Sequence, residues 1–212
     1  MAAAVKFYDW SAAPNPRRLR LFIAAKGIDI ETEDVFDASA GGLKADFKAK
    51  YPRAVTPALE LDDGTIIGDA AACMRYLEDT HPEPPLFGSN AKEKALVDMW
   101  EHSAYEDGLM AAAETFRNSD ASPFPYAIPG VTSTGKIAEL IERGKVRTLH
   151  FFSLLDAQLA SNEFVAGDFF SAADITALCA YDFAIGTAVL EEIPGANVAR
   201  WYAAVSESAA KL

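Results

Sequence analysis

The run Val55-Thr56-Pro57-Ala58-Leu59-Glu60-Leu61-Asp62-Asp63-Gly64, followed by Asp69, holds the residues best placed to do chemistry. It reads as an apolar strand with a proline at its mouth, an Asp-Asp-Gly turn, a second short strand (Thr65-Ile66-Ile67) and a helix opened by Asp69. Proline has no N–H to give a sheet and fixes its own φ, so it stands where a strand begins. The amide and carbonyl of Thr56, just behind Val55, are then free to pair with an extended peptide by strand addition. An acid at a helix start can hold an ammonium group, while the helix N-terminus attracts a carboxylate. A small zwitterionic peptide suits such an edge.

Several elements must form to position these groups. Val5 to Tyr8 reads as a strand. Asn15-Pro16 reads as a helix start, a capping residue followed by proline, and Leu19, Phe22 and Ile23 give that helix an apolar face before Gly27 ends it. Ile28, Ile30 and Thr32 alternate as a second strand, and Leu43 and Phe47 suggest a short helix. A helix from Asp69 to about Asp79 follows the two central strands. Thr80 to Gly88 contains several prolines and has the character of a linker. Beyond it the strand signals vanish. Leu96, Met99, Trp100 and Met110 mark one helix, and Ile137 to Leu155 a longer one. Ser171-Ala-Ala-Asp174 is a capping-box start, with Phe170 and Ile175 placed as its staple. The segment from Asn118 to Gly135, rich in Pro, Ser and Gly, is long for an idle connection.

Composition narrows the function. With 212 residues, half of them hydrophobic, the chain can bury a substantial core, and its net charge of −12 argues against a nucleic-acid partner. No apolar run reaches the roughly 18 residues of a membrane span. The opening Met1 to Trp10 lacks the basic end and apolar centre of a secretion signal. Cys73 and Cys179 form no CxxC pair, and His81, His102 and His150 lack metal-ligand spacing. A cytoplasmic enzyme or binding protein is expected, with no metal, nucleic acid or membrane as partner.

Over essentially its whole length the chain resembles the glutathione S-transferase superfamily. Lys6-Phe-Tyr-Asp-Trp and Pro14-Asn-Pro-Arg-Arg-Leu-Arg-Leu-Phe-Ile-Ala-Ala-Lys-Gly-Ile28 look like a bacterial, cytosolic subgroup whose first helix opens with Ser-Pro-Asn-Pro-Arg-Arg. Thr56-Pro57 matches the pair bearing the family's cis-proline. Thr65 to Glu78 matches the strand and third helix, where most members carry Glu-Ser, and Phe164 to Ile175 is similar to the helix-capping segment of the family's second half. The resemblance implies an α/β part followed by an all-α part: a thioredoxin-like domain over residues 1–80, a linker at 81–90 and an all-helical domain over 91–212. It implies glutathione as co-substrate, a small hydrophobic electrophile as second substrate, and a detoxifying homodimer.

The implied glutathione site comprises Val55, Thr56, Pro57, Asp69, Ala70 and a cation, Lys44, with Lys50 and Arg53 in the same segment. Two positions depart from the family: Ala13 replaces the Ser or Cys before Pro14, and Asp69-Ala70 replaces Glu-Ser. A free thiol has pKa near 8.5, and lowering it by two units takes about 2.7 kcal/mol. A helix N-terminus supplies about 0.3–1 kcal/mol, rarely 2, so a directed donor is expected. Ser11, Asn15 and Tyr8 are the candidates, each with a structural alternative as turn residue, helix cap and core residue. The electrophile pocket is expected around Ala12, Ala13 and Tyr105, roofed by Phe124-Pro125-Tyr126. The rival reading is a non-catalytic binding or scaffold protein on the same fold, which Ala13 and Ala70 favour. A cysteine-based oxidoreductase is a third, opposed by the lack of any cysteine at the first helix start.

Overall fold

The computed structural model describes residues 3–124, 127 and 135–209, and it divides into two compact units, Met1–Pro85 and Leu86–Lys211. The first unit is built on a mixed sheet of order β2-β1-β5-β6. Strand β1 (Ala4–Asp9) runs parallel to β2 (Glu31–Asp34) and antiparallel to β5 (Ala58–Leu61), which pairs antiparallel with β6 (Ile66–Gly68). A hairpin of β3 (Phe36–Asp37) and β4 (Gly42–Leu43) precedes the short helix α2 (Ala45–Lys50). Helix α1 (Pro14–Lys26) packs on α3 (Ala70–Thr80). This is the expected thioredoxin-like arrangement.

Neighbouring strand residues face opposite sides of a sheet. Tyr8 therefore joins Val35, Phe47, Tyr51 and Ala58 in one cluster, while Phe7, fully buried like Leu19, Phe22, Met74 and Leu77, points the other way.

Two expected boundaries moved. Helix α1 starts at Pro14 with extended Ala13 as its cap, so Asn15 lies inside the first turn rather than capping it. Proline fits there because the first-turn N–H groups have no helical acceptor to lose. The second strand begins at Glu31, not Ile28. Gly27 adopts φ 64° and the Ile28 N–H donates to Ile23 at 3.1 Å, so Ile28 is spent on closing α1.

The second unit is helical, as expected. One long rod comprises α4 (Ala91–Ser103), a π-helical segment (Ala104–Met110) and α5 (Ala111–Asn118). It packs with α6 (Glu139–Leu159) and α7 (Ala172–Gly186), and α8 (Ala196–Ala209) follows. Helix α6 approaches α5 closely at Gly144, where a Cβ would come within 2.3 Å of Thr115 Oγ1 and 2.5 Å of the Ala111 carbonyl. Asp174, fully buried, ties the unit together. Its carboxylate accepts from Ser171 N–H and hydroxyl, Val165 N–H and Trp201 Nε1 at 2.9–3.0 Å. The capping box expected at Ser171 is present.

At the end of the first unit, Lys26 closes α1 against the chain leaving α3. Its ammonium lies 2.6 Å from Glu78 Oε2 and donates to the carbonyls of His81 and Pro84 at 2.7 and 2.6 Å, with no side-chain exposure. Lys26→Met keeps the apolar stem but removes the charge facing Glu78 and the donor to two carbonyls. Breaking a buried pair in this way costs about 3–5 kcal/mol. Urea unfolding should show that loss, against less than about 0.5 kcal/mol for Lys92→Met on the exposed face of α4. Equal small losses in both would mean the clamp is dispensable.

Candidate functional site

The β5–β6 ladder ends at Ala58↔Gly68, and one further bond, Asp69 N–H to the Pro57 carbonyl at 3.2 Å, extends it. Proline cannot return a hydrogen bond, so pairing stops there. The Thr56-Pro57 peptide is cis. Thr56, half-buried, has neither its N–H nor its C=O hydrogen-bonded among the described residues. Val55 packs against the Tyr8 cluster, and Pro57 is buried.

Asp69 is exposed and has φ 84°, a conformation costing a non-glycine residue on the order of 1–3 kcal/mol and concentrated at functional sites. Its carboxylate caps α3 by accepting from Ala71 N–H at 2.9 Å. The N–H of buried Ala70, the first residue of α3, has no acceptor among the described residues. Gly68 is required beside it, since a Cβ there would meet the Tyr51 hydroxyl at 2.1 Å. Thr56, Asp69 and Ala70 thus form one edge offering a peptide pairing site, a carboxylate and a helix N-terminus.

At the start of α1, Ala13 donates its N–H to the Trp10 carbonyl at 2.9 Å. Pro14 and Pro16 remove two of the first-turn donors, and Arg17 N–H bonds Ala13 at 3.3 Å, which leaves Asn15 N–H as the open first-turn donor. The Asn15 side chain accepts from Arg18 Nη1 at 2.8 Å. An arginine only donates, so the amide oxygen faces Arg18 and the NH₂ group is left to donate elsewhere.

The other two expected thiolate donors fare differently. Ser11 N–H donates to Asp34 Oδ2 at 3.1 Å and its carbonyl accepts from Arg20 at 2.9 Å. Burial acts to raise the Asp34 carboxyl, but hydrogen bonds from Phe36 N–H and from the Ser11 hydroxyl and N–H outweigh it and hold it below the usual range. Tyr8 is withdrawn from the donor role: its hydroxyl donates to Glu60 Oε2 at 2.5 Å and accepts from Lys50 at 2.9 Å. Its single proton is committed to that part-buried network, and desolvation chiefly pushes its pKa up.

Among the cations, Lys44 donates to the Asp34 carbonyl at 2.6 Å and Lys50 pairs with Glu60 at 2.6 Å. Exposed Arg53 has no partner among the described residues. Ala12 is exposed and Ala13 half-buried, beside a stack of Trp10 on Phe36 at 4.5 Å that sequence reasoning missed. In the helical unit, Tyr105 on the π-helical segment and Phe124 are half-buried, while Pro125 and Tyr126 lie outside the described residues. No cluster of three metal-ligating side chains occurs among the described residues, and no described helix is long and apolar enough to cross a membrane.

A mixed sheet with an open edge at a cis-proline, followed by a helical unit, defines a thioredoxin-like fold joined to an all-helical unit. A model of the glutathione S-transferase N-terminal domain matches residues 12–80, and one of the C-terminal domain matches residues 111–209. Glutathione S-transferase 2 of Saccharomyces cerevisiae is 31% identical over 182 residues, covering 84% of this chain and 75% of the relative. Among solved structures, a glutathione S-transferase domain-containing protein of Marinobacter aquaeolei superposes with a TM-score of 0.79 at 34% identity, covering 95% of this chain and 97% of the other. A class Gtt2 glutathione S-transferase of Vibrio parahaemolyticus gives 0.77 at 33% identity, with coverage of 95% and 93%. The chain belongs to the glutathione S-transferase family.

Cys73 is a poor nucleophile for any thiol chemistry here. It is fully buried, donates to the Ile67 carbonyl at 3.3 Å, and burial pushes its thiol up to about 12. The unfolded thiol ionises near pH 8.5 and the native one does not, so this group's stabilising contribution declines as pH rises beyond that value. Alkylation at about pH 8 should be on the order of a thousandfold slower at Cys73 in the native protein than in urea, read by peptide mass mapping. Comparable rates would revive the oxidoreductase reading.

Proposed function

We propose that this chain is a glutathione transferase that presents the glutathione thiolate to a small hydrophobic electrophile. The observation that carries the reading is the open Thr56 backbone held beside Asp69 at the start of α3. The cysteinyl backbone of glutathione pairs with Thr56 in the manner of an added strand. Asp69 takes the γ-glutamyl ammonium, and Ala70 N–H with the α3 N-terminus takes its carboxylate. The glycyl carboxylate falls to Lys44 or Arg53, of which Arg53 is the unpaired one among the described residues. Residues 1–80 would carry this site.

Catalysis consists of positioning and of holding the thiol ionised. Sulfur forms a bond to the electrophilic carbon, the leaving group departs with its electron pair or the π-bond accepts it, and the thiol proton goes to solvent. No covalent bond to the protein forms. Asn15, through its NH₂ group and backbone N–H, is the donor best placed to stabilise the thiolate at α1. The exposed apolar side chains Val146, Leu149 and Leu154 of α6 suit burial in a homodimer, and a cytoplasmic detoxifying role accords with this chemistry.

Calorimetric titration tests the reading. Asp69→Asn keeps an oxygen to cap α3, so stability should stay within about 0.5 kcal/mol. It loses the charge opposite the ammonium, worth about 1.5–3 kcal/mol, and glutathione affinity should fall about tenfold to a hundredfold. Absence of binding heat at millimolar glutathione in the unaltered protein would favour the scaffold reading, to which Ala13 and Ala70 already lean. In a second measurement, ultraviolet absorbance of bound thiolate followed against pH should show Asn15→Ala raising the thiol pKa by about 1–2 units. The thiolate is then scarcer at neutral pH, and turnover shifts to more alkaline conditions. An unmoved titration would remove Asn15 from the mechanism.

A further inference from the structure

Two groups of opposite charge grip Ser11, in the short connection from β1 to α1. Its N–H donates to Asp34 Oδ2 at 3.1 Å, and its carbonyl accepts from Arg20 Nη2 at 2.9 Å. Each gripping group is itself anchored. Arg20, on α1, places Nη1 2.5 Å from Oδ1 of Asp9, which is buried at the end of β1. Asp34 ends β2, its Oδ1 accepts from Phe36 N–H at 2.9 Å, and its carbonyl accepts from Lys44 at 2.6 Å. Val35 N–H donates to the Asp9 carbonyl at 2.8 Å and so joins the two anchors. Ala13 N–H turns back to the Trp10 carbonyl at 2.9 Å, and the Trp10 ring lies flat against Phe36. Surface connections are usually the more mobile parts of a fold. Here Trp10, Ser11 and Ala13 are each tied down, all within the first unit, just ahead of the helix start that carries Asn15.

We infer that Arg20 and Asp34 are positioning residues, which hold the Trp10–Ala13 connection in one geometry so that the start of α1, with Asn15, meets the glutathione sulfur already aligned. The inference rests on the transferase reading for the sulfur, and on the bonds around Ser11 for the rigidity. Arg20 and Asp34 act through the backbone between them, not on the ligand. Oriented groups lose effect steeply when displaced, about a hundredfold for 1 Å. A guanidinium suits the task because its fork spans two acceptors in fixed directions, here the Asp9 carboxylate and the Ser11 carbonyl. Ser11 is on this account held rather than reactive, since its hydroxyl proton is spent on Asp34. The bland alternative is a staple that fixes α1 to the sheet and has no bearing on the sulfur.

The full chain with glutathione separates the two, read by the ultraviolet absorbance of the bound thiolate against pH. Removing Arg20 outright would leave Asp9 buried and unpaired, so the bracket is best cut from its exposed side, with Asp34→Ala. That variant should bind glutathione within about threefold of the unaltered protein, because the Thr56–Asp69 edge is untouched, yet raise the bound thiol's pKa by about one unit. Arg20→Lys keeps a charge for Asp9 but loses the fork, and should give a smaller rise in the same direction. Ser11→Ala keeps both backbone bonds and should move the thiol by no more than about 0.3 unit. A thiol pKa unmoved in Asp34→Ala overturns the inference, as does a Ser11→Ala shift as large as that of Asn15→Ala, which would make the hydroxyl a direct donor. No glutathione binding by the unaltered protein would instead sink the transferase reading, and the alignment of the sulfur with it. Binding with an unmoved thiol sinks the positioning role alone.

Discussion

The amide of Asp69 donating to the carbonyl of Pro57 is the contact on which the open edge depends. It adds one step to the β5–β6 ladder and ends it, because Pro57 has no N–H with which to continue. Thr56 is thereby left next to paired backbone yet unpaired itself among the described residues. The positive φ of Asp69 then turns the chain into α3, with the carboxylate at the helix start. The cost of that backbone is offset locally, by the cap to Ala71 and by the bond to Pro57, and Gly68 gives way to the Tyr51 hydroxyl behind it. Remove any one of these and the Asp69 carboxylate and the open backbone edge no longer share a geometry.

A parallel economy operates at α1. Two prolines in three residues strip the helix N-terminus of two backbone donors. What is left is concentrated in Asn15, whose orientation Arg18 sets. In a family where a hydroxyl or thiol commonly precedes the first proline, Ala13 leaves room rather than chemistry. On the transferase proposal, the directed donor comes from inside the first turn. The dipole alone supplies about 1 kcal/mol of the roughly 2.7 kcal/mol that two pKa units require.

The strand at Val5 to Tyr8, the turn at Asp62-Asp63-Gly64, the cap at Asp69 and the box at Ser171 were all legible in the sequence, because each is decided within a few residues by local chemistry. What was not legible depended on partners far along the chain. Tyr8 reads as a packing residue with a catalytic alternative until Glu60 and Lys50 take up its hydroxyl. Asn15 reads as a cap until two prolines shift the helix start to Pro14. Lys44, Lys50 and Arg53 are equivalent in sequence, and they separate only when Asp34 and Glu60 engage the first two. The hairpin that stacks Phe36 on Trp10 has strands of two residues, too short for any periodicity to announce. The π-helical segment has no sequence signature at all, since Ala-Tyr-Glu-Asp-Gly-Leu-Met reads as ordinary helix.

Net charge sets the remaining constraint. Glutathione carries two carboxylates against one ammonium, and the chain carries −12, so the long-range field opposes the encounter. Screening limits that field to about 8 Å at physiological ionic strength, and recognition must then be short-ranged and directed. Backbone pairing at Thr56, a helix N-terminus at Ala70 and isolated cations fit that requirement. The same logic accounts for the many surface cations that are neutralised by neighbours, such as Lys6 between Glu31 and Glu33: those already paired have little left to offer an incoming anion.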